Sequence, residues 1–201
     1  MMKRVLYILM LAMCQFSYSQ AQSARSVLDK CAAVVSNKSG VKASFRMESA
    51  RYGDFSGTIM LKDRKFCAQT DVATMWFDGK TQWTYLKKND EVSITTPTEA
   101  QLQVINPYNF INLYKKDYQE SMTTGASAYN VHLTATDAAK KIRELFITID
   151  KKNYAPTEVK ILQGTKWTTF HITDFKTTDL SDSVFRFNAK DFPSAEIIDL
   201  R

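Results

Sequence analysis

Residues 76–85 have the sequence Trp76-Phe77-Asp78-Gly79-Lys80-Thr81-Gln82-Trp83-Thr84-Tyr85. An Asp-Gly pair between two runs of aromatic residues is a strong signal for a β-hairpin with a two-residue turn, here Asp78-Gly79. Strands this apolar need a protein surface or a ligand to cover them. The stretch therefore predicts a β-sheet protein with a large apolar face.

Alternation of apolar and polar residues continues on both sides of this hairpin. Val41, Ala43, Phe45 and Met47, for example, alternate with polar residues at a period of two, which is typical of a half-buried strand. By this pattern and by turn signals, strands are predicted at 41–48, 55–61, 66–70, 74–77, 81–86, 91–95, 129–134, 142–149, 157–162, 166–175 and 184–187.

Two segments have helical rather than strand spacing. Residues 24–38 place five apolar residues on one face and end at Ser39-Gly40. A shorter helix is predicted from Asn106, a suitable N-cap, with Pro107 in its first turn. The order is helix, meander, short helical insertion, meander. It predicts an α+β, mainly β fold: a curved antiparallel sheet whose concave face is closed by helices.

The N-terminus has the pattern of a secretory signal peptide. A short basic segment, residues 1–4 with Lys3 and Arg4, precedes an apolar run at 5–13, which is too short for a membrane span of about 20 residues. We expect cleavage after Ser19, with Ser23 as the alternative, so that residues 1–19 are the signal peptide and 20–201 are one soluble periplasmic domain. Lipid anchoring at Cys14 is not expected, because Met13 stands where a lipoprotein cleavage site has a small residue.

Loss of residues 1–19 removes two basic residues and lowers the formal charge from +6 to +4, or 25 basic minus 21 acidic residues. The charges are scattered, with short doublets such as Lys87-Lys88. We interpret them as a solvated surface; attraction to an anionic membrane or an acidic partner is the alternative. For Cys31 and Cys67, a disulfide and two buried free thiols are both compatible with the pattern.

The chain carries no recognisable catalytic arrangement. Its two histidines, His132 and His171, each lie in a predicted strand, and the spacing of His171 from Asp174 places them on opposite faces. Phosphate-loop, dinucleotide, nucleophile-elbow and zinc patterns are missing from the sequence. No basic stripe is interleaved with the aromatic residues, as nucleic-acid binding would require. We therefore expect no enzyme, cofactor, metal or nucleic-acid partner.

A surplus of aromatic and methionine side chains then needs an explanation. For a large sheet with few helices, the inner face exceeds what those helices can bury, which indicates an apolar cavity. Methionine suits such a cavity because its flexible side chain adapts to varied ligands. In an exported protein without catalytic groups, this indicates the carrying of an apolar ligand.

Several segments, taken in order, resemble the LolA-type outer-membrane lipoprotein carriers, in a divergent form. The stretch Phe77 to Tyr85 is similar to the family's aspartate-glycine-lysine hairpin. Weaker similarities, significant through their order, are Leu28-Asp29-Lys30 with Lys42-Ala43-Ser44-Phe45, 57–62 leading to Phe66, 106–111, and the tail 185–187 with Phe192-Pro193 and 197–199.

The resemblance implies an open, incomplete antiparallel β-barrel with helices lidding the concave apolar face. It implies a periplasmic carrier, or chaperone, that receives the acyl chains of acylated lipoproteins from an ABC-type lipoprotein-releasing complex at the inner membrane. Delivery would be to an outer-membrane acceptor, and we expect a monomer. The alternative is a lipid- or lipoprotein-sensing regulatory module on the same scaffold, without transfer.

The candidate site follows from strand parity, helix faces and this resemblance. The acyl-chain cavity wall is predicted to contain Phe45, Met47, Ile59, Leu61, Met75, Phe77, Trp83, Tyr85, Val92, Ile94, Leu145, Ile147 and Ile149. The lid is predicted to contain Val27, Leu28, Val34, Val35, Pro107, Phe110, Ile111 and Tyr114. The family commonly has an Arg-Pro pair after the second strand that latches the lid. This chain lacks the Pro, and Arg64 is the latch candidate, with a simple turn charge as its alternative role.

Overall fold

A computed structural model describes residues 22–98, 101–102 and 112–201, and in it twelve β-strands form one sheet. The strands are β1 Val41–Ser49, β2 Phe55–Lys62, β3 Lys65–Thr70, β4 Ala73–Phe77, β5 Gln82–Leu86, β6 Glu91–Thr95, β7 Tyr118–Thr124, β8 Ala128–Ala135, β9 Ile142–Asp150, β10 Pro156–Gln163, β11 Lys166–Thr177 and β12 Glu196–Asp199. Their order across the sheet is β12-β6-β5-β4-β3-β2-β1-β11-β10-β9-β8-β7.

The sheet is antiparallel except at one edge, where β12 runs parallel to β6. Among the described residues no pairing joins β7 to β12, so the sheet stays open. The mainly β, unclosed antiparallel architecture expected from the sequence is therefore confirmed.

Strand register gives the sheet one strongly apolar face. Directly paired residues on neighbouring strands point to the same side. Ile59 pairs with Ala68, and Ala68 pairs with Met75, so the apolar positions of β2, β3 and β4 share a face. On the other half of the sheet, Val159 pairs with both Ile147 and Phe170. We call the side that carries these residues the inner face and the opposite side the outer face.

The single long helix of the described chain, α1 (Ala24–Val35), lies against the inner face. Its N-cap is Ser23, whose hydroxyl oxygen accepts a hydrogen bond from the Ser26 backbone N–H at 3.1 Å. The helix ends three residues before the predicted boundary. Its buried stripe belongs to one core cluster with β8 and β9, formed by Val27, Leu28, Cys31, Val35, Val131, Leu133, Leu145, Ile147 and Ile149. No helix of the described residues has the length and apolarity needed to cross a membrane.

The outer face is partly covered by the C-terminal segment, residues 178–201. Phe185 and Leu180 are buried against Cys67, Met60 and Trp76 in a second apolar cluster. The predicted strand 184–187 is wrong, because Asp182–Phe185 forms a 3-10 helix. Its cap is the hydroxyl of Ser181, which accepts the Ser183 backbone N–H. This local capping competes with strand pairing.

The hairpin at residues 76–85 forms, with a turn that differs from the prediction. β4 ends at Phe77 and β5 begins at Gln82, so residues 78–81 make the connection. A carboxylate oxygen of Asp78 accepts the backbone N–H groups of Lys80 and Thr81 at 3.0 and 2.9 Å. Gly79 has φ +99, a conformation that glycine tolerates without strain. The aspartate side chain organises the turn, and the turn is centred one residue later than expected.

The cysteines lie on opposite sides of the sheet, and both are free and buried. Cys31 is on the stripe of α1 that packs against the inner face, whereas Cys67 is in the outer-face cluster. Because the sheet separates them, a bond between these two thiols is excluded in this fold.

Candidate functional site

A cavity of about 530 Å³ lies on the inner face beside the C-terminal end of α1. Its volume is within the range of about 300–1,000 Å³ typical of small-molecule sites. The apolar residues that line it are Val35, Val41, Ala43, Phe45, Met47, Phe55, Ile59, Leu61, Phe66, Ala68, Val72, Ala73, Met75, Ile147, Pro156, Val159, Ile161, Phe170, Ile172 and Phe175. Strands from both halves of the sheet and one helix end thus create a predominantly apolar chamber.

The polar side chains of the lining are confined to one end. They are Tyr52, Thr70, Gln163 and Thr168, at the ends of β1, β3 and β10 and the start of β11. Two of them are already engaged within the protein. The Thr168 hydroxyl is 2.9 Å from that of Ser49, and the Thr70 hydroxyl donates to the Ala73 carbonyl at 3.0 Å. We call this the polar end of the cavity.

This distribution limits what the cavity can hold. Away from the polar end, the side chains of the lining offer a ligand no hydrogen-bonding group. A polar group placed there would lose its water contacts without replacement, which is costly. A ligand with a long apolar part and one polar end fits this arrangement, with its polar part near Tyr52 and Gln163.

Six of the thirteen predicted wall residues line the cavity: Phe45, Met47, Ile59, Leu61, Met75 and Ile147. Phe77, Leu145 and Ile149 also belong to the main apolar core, but each is fully buried by other protein atoms and none borders the cavity. They contribute to the packing that supports the chamber.

The other four predicted wall residues, Trp83, Tyr85, Val92 and Ile94, lie on the outer face. Trp83 pairs with Trp76, which alternates with the cavity-lining Met75 and so points the other way. Phe192, in the C-terminal segment, contacts Tyr85 at a ring distance of 4.6 Å. This placement corrects the sequence-based assignment. Strand alternation groups residues by side, but it does not identify which side of a strand is concave.

Four of the described lid candidates are residues of α1. Val27, Leu28 and Val35 are buried in α1, Val34 is half-exposed, and Val35 also borders the cavity. The predicted lid residues Pro107, Phe110 and Ile111 fall outside the described residues. Their role as a lid therefore stays a prediction.

Tyr114, the remaining lid candidate, is buried and bonded to α1. Its hydroxyl donates a hydrogen bond to Asp29 at 2.6 Å, and Arg25 donates to its backbone carbonyl at 2.8 Å. The Arg25 guanidinium also lies 4.7 Å from the centre of the Tyr114 ring. Burial, followed by the hydrogen bond to Asp29, raises the pKa of Tyr114. The segment before β7 is thereby fastened to the helix.

Arg64, the latch candidate, lies exposed in the β2–β3 turn and does not line the cavity. Its neighbours attach this turn to the C-terminal segment. Lys62 donates to the Leu180 carbonyl at 2.6 Å, and Lys65 lies 2.8 Å from Asp182. The hydrogen bond from Lys65 lowers the pKa of Asp182. The latch role of Arg64 stays a prediction.

The histidines lie away from the cavity, in the outer-face pattern of β8 and β11. His132 is 3.1 Å from Glu144 and stacks on Phe146, and His171 is 3.4 Å from Glu158. Within the described ranges there is no cluster of three side chains suited to hold a metal ion. The cavity is therefore the candidate site, and its predominantly apolar lining suits an apolar ligand.

Solved structures share this fold at low sequence identity. An uncharacterized conserved protein from Thermus thermophilus is similar with a TM-score of 0.60 and 13% identity, over 89% of this chain and 99% of that one. MucB is similar with a TM-score of 0.51 and 12% identity, over 83% of this chain and 63% of MucB, so this chain spans less than two thirds of MucB. A LolA superfamily protein from Nitrosomonas europaea gives a TM-score of 0.43 and 12% identity, over 83% of this chain and 99% of that protein.

Sequence comparison is more specific than these structural similarities. No curated protein sequence matches this chain significantly. The family model described as outer membrane lipoprotein carrier protein LolA matches residues 14–165, which is more than half of the chain. The match includes α1 and the strands β1–β10, and therefore most of the cavity lining. The chain is a divergent member of the LolA family of outer membrane lipoprotein carrier proteins.

Proposed function

We propose that this protein is exported to the periplasm and carries the acyl chains of lipoproteins from the inner to the outer membrane. The observation that supports this function is the distribution of polarity in the cavity. Apolar residues of β1–β4 and β9–β11 line the chamber, and polar lining residues occur at one end. Acyl chains match the chamber, while the attached polypeptide stays outside the polar end.

The energetics favour a cavity of this type for such cargo. A lipoprotein leaves the membrane only if its acyl chains find another apolar environment. Each methylene returned to water costs about 0.8 kcal/mol, so a chain of many methylenes needs a continuous apolar surface. The inner face supplies it along β1, where Val41, Ala43, Phe45 and Met47 all border the cavity.

Release requires that binding is not too tight. In this proposal α1 and the segment fastened to it by Tyr114 act as a lid over the inner face. A lid that occupies the apolar groove when cargo is absent lowers the net affinity for cargo, because binding must displace it. Val35 supports this role since it packs with the core and borders the cavity.

The partners in this proposal follow from the route. An ABC-type lipoprotein-releasing complex supplies cargo at the inner membrane, and an outer-membrane acceptor receives it. Residues 1–19 act as the cleaved signal peptide, and the carrier works as a monomer. The reaction involves no covalent chemistry, so the protein acts as a binding protein rather than an enzyme.

Binding is tested first with a soluble fluorescent fatty acid, together with native mass spectrometry of protein purified from its own periplasm. The variant Ile59→Glu places a carboxylate on the cavity wall, and Thr58→Glu is the matched control on the outer face of the same strand. Burying an unpaired charge with the ligand is costly, so we expect Ile59→Glu to weaken binding by at least about tenfold. Equal affinities in the two variants, or no binding by either, would remove the cavity as the site.

Transfer distinguishes a carrier from a sensor. Membranes loaded with a labelled lipoprotein are mixed with the carrier and separated from it, and the soluble complex is then given acceptor membranes. Appearance of label in the soluble fraction and then in the acceptor supports the carrier. Tight, stoichiometric capture without delivery supports the lipid-sensing module instead.

A further inference from the structure

Strongly exposed large apolar side chains are concentrated at one end of the sheet. In the described part of the chain six such side chains occur, and four of them lie at this end: Tyr52 (53% exposed), Val72 (59%), Leu86 (39%) and Trp167 (39%). The other two, Ile197 and Leu200, belong to the C-terminal segment. Soluble proteins rarely expose such side chains in a group, so this grouping indicates a contact surface.

The turns and the strand register place three of these side chains on the cavity side of one end of the sheet, and Trp167 on the outer face of the same end. Tyr52 and Val72 lie in the β1–β2 and β3–β4 turns, and Leu86 ends β5 opposite Ala73. The Lys87 backbone N–H donates to the Val72 carbonyl at 3.1 Å, which joins two of these elements. Trp167 precedes the cavity-lining Thr168, which pairs with Ser49 at the end of β1, so the Trp167 ring lies at this end on the outer face, 5.8 Å from the ring of Phe146. We call Tyr52, Val72, Leu86 and Trp167 the rim patch.

The rim patch is continuous with the cavity. Tyr52 and Val72 both line the chamber, at its polar end, and so does Ala73 beside Leu86. The cavity therefore reaches the protein surface among the exposed apolar side chains.

Basic residues lie directly beside the patch in the sequence. Arg51 precedes Tyr52, with its guanidinium 5.2 Å from the centre of the ring, and Lys166 precedes Trp167. Lys87 and Lys88 follow Leu86, and all four basic residues are exposed.

Acidic residues also occur at this end. Asp54 accepts the Ser49 backbone N–H, and Asp90 accepts the Tyr85 hydroxyl, so each of these carboxylates bonds to the protein itself. Asp71 is exposed beside Val72. Glu91 pairs directly with Leu86, so charges of both signs border the patch, and its exposed basic side chains are those of Arg51, Lys87, Lys88 and Lys166.

We propose that the rim patch docks this protein on the surface of a lipid bilayer. Tyr52, Val72, Leu86 and Trp167 enter the boundary between head groups and acyl chains, and the adjacent Arg and Lys side chains contact anionic head groups. This combination of aromatic, aliphatic and basic side chains is the one that interfacial membrane segments use. Docking in this way turns the polar end of the cavity toward the bilayer, so that an acyl chain moves between membrane and chamber without crossing water.

The position of the patch favours a bilayer over a peptide partner. Peptides commonly add a strand to a free sheet edge, and the free edges here are β7 and β12. The rim patch instead occupies turns and strand ends, which offer no extended row of backbone groups for strand addition. The transfer of an acyl chain from the docked position into the cavity rests on the proposed carrier function, whereas the docking itself does not.

The test is flotation of the mature chain, residues 20–201, with vesicles of phosphatidylcholine alone or mixed with phosphatidylglycerol. We expect the protein to float with both, and more with the anionic vesicles. The double variant Val72→Ser/Leu86→Ser should lower the bound fraction by about fivefold or more on both. Leu200→Ser, which changes an equally apolar exposed residue in the C-terminal segment, should float like the parent.

Charge is tested with two lysine doublets. Lys87→Gln/Lys88→Gln should weaken flotation with phosphatidylglycerol vesicles and leave that with phosphatidylcholine unchanged. Lys151→Gln/Lys152→Gln, in the β9–β10 turn away from the patch, should change neither. Absence of flotation, or a Val72→Ser/Leu86→Ser protein that floats like the parent, overturns the proposal.

The soluble fatty-acid assay separates docking from cargo binding. The single variant Leu86→Ser, which changes a rim-patch residue that does not line the cavity, should float less than the parent and keep binding of the soluble probe. Ile59→Glu should lose the probe and still float. Flotation without probe binding by the parent protein would contradict the carrier function alone, and probe binding without flotation would contradict the docking alone.

Discussion

The hydroxyl of Tyr114 lies 2.6 Å from a carboxylate oxygen of Asp29, although 85 residues separate them in the sequence. This hydrogen bond joins the chain before β7 to α1. Arg25 strengthens the connection by donating to the Tyr114 carbonyl. Because α1 covers β8 and β9, the bond fixes the position of the helix on the inner face.

Removing this hydroxyl should destabilise the protein. Tyr114→Phe keeps the buried ring and deletes the hydrogen bond to Asp29, and we expect the free energy of unfolding to fall by about 1–2 kcal/mol. The measurement is urea unfolding followed by circular dichroism. Tyr52→Phe is the control, because the Tyr52 ring is largely exposed. A midpoint shift of the same size in both variants would contradict a role for the Tyr114–Asp29 bond.

A ring added to the cavity wall should block binding without unfolding the protein. Ala68 lies on β3, borders the cavity and is half-exposed, so Ala68→Phe places a ring in empty space. We expect affinity for the soluble fatty acid to fall by at least about tenfold, or about 1.4 kcal/mol, with little loss of stability.

The control for this variant is Gln69→Phe, which adds the same ring to the outer face of the same strand. It should bind the probe like the parent. Unchanged affinity in Ala68→Phe would show that the ligand does not reach β3, and equal loss in both variants would indicate a general effect on the strand.

Periodicity predicted most strands but not the side each residue faces. Phe45 and Ile59 border the cavity as expected, whereas Trp83 and Tyr85 face outward. All four obey the same alternation, and only long-range packing distinguishes the two sides. The C-terminal segment decides it, because Phe192 covers Tyr85 and Phe187 contacts Trp76. That packing joins residues far apart in the sequence, which a local pattern does not contain.

The missed strand has a different cause. β7, Tyr118–Thr124, is an edge strand with mostly polar and exposed side chains, so it has little hydrophobic alternation to detect. β7 is a strand because it pairs with β8, and its amino-acid composition does not indicate this pairing. The sequence did not predict β12 either. This strand pairs in parallel with β6, and its apolar run is too short to indicate a strand by itself.

The buried ring of Phe185 in the outer-face cluster should contribute strongly to stability, although the C-terminal segment that carries it lies outside the residues that the family model matches. Phe185 is fully buried, so Phe185→Ala should lower the free energy of unfolding by about 3–5 kcal/mol. Phe187→Ala is the comparison, since Phe187 is half-exposed and should cost much less. Similar small losses in guanidinium unfolding would show that the C-terminal segment is only loosely attached.

The buried thiols make stability depend on alkaline pH. Burial raises the pKa of Cys31 to about 12 and that of Cys67 to about 11. In the unfolded chain both thiols titrate near about pH 8.5, so above this pH the unfolded state loses protons that the native state keeps. The stabilising effect is therefore complete below about pH 8.5 and declines as the pH rises toward the native pKa values, at up to about 1.4 kcal/mol per pH unit for each thiol.

The variants Cys31→Ala and Cys67→Ala test this prediction through the slope rather than the absolute stability, because each substitution also leaves a small cavity. Unfolding free energies are measured between about pH 8 and pH 10.5. The unfolding free energy of each variant should fall less steeply with pH than that of the parent, and that of the double variant should fall least. Tyr114 contributes in the same direction, because its raised pKa also favours the protonated native state, so a residual slope is expected from Tyr114 in the double variant. Parallel curves for parent and double variant would mean that the thiols are solvated in the native state, which would contradict the burial of Cys31 between α1 and the sheet.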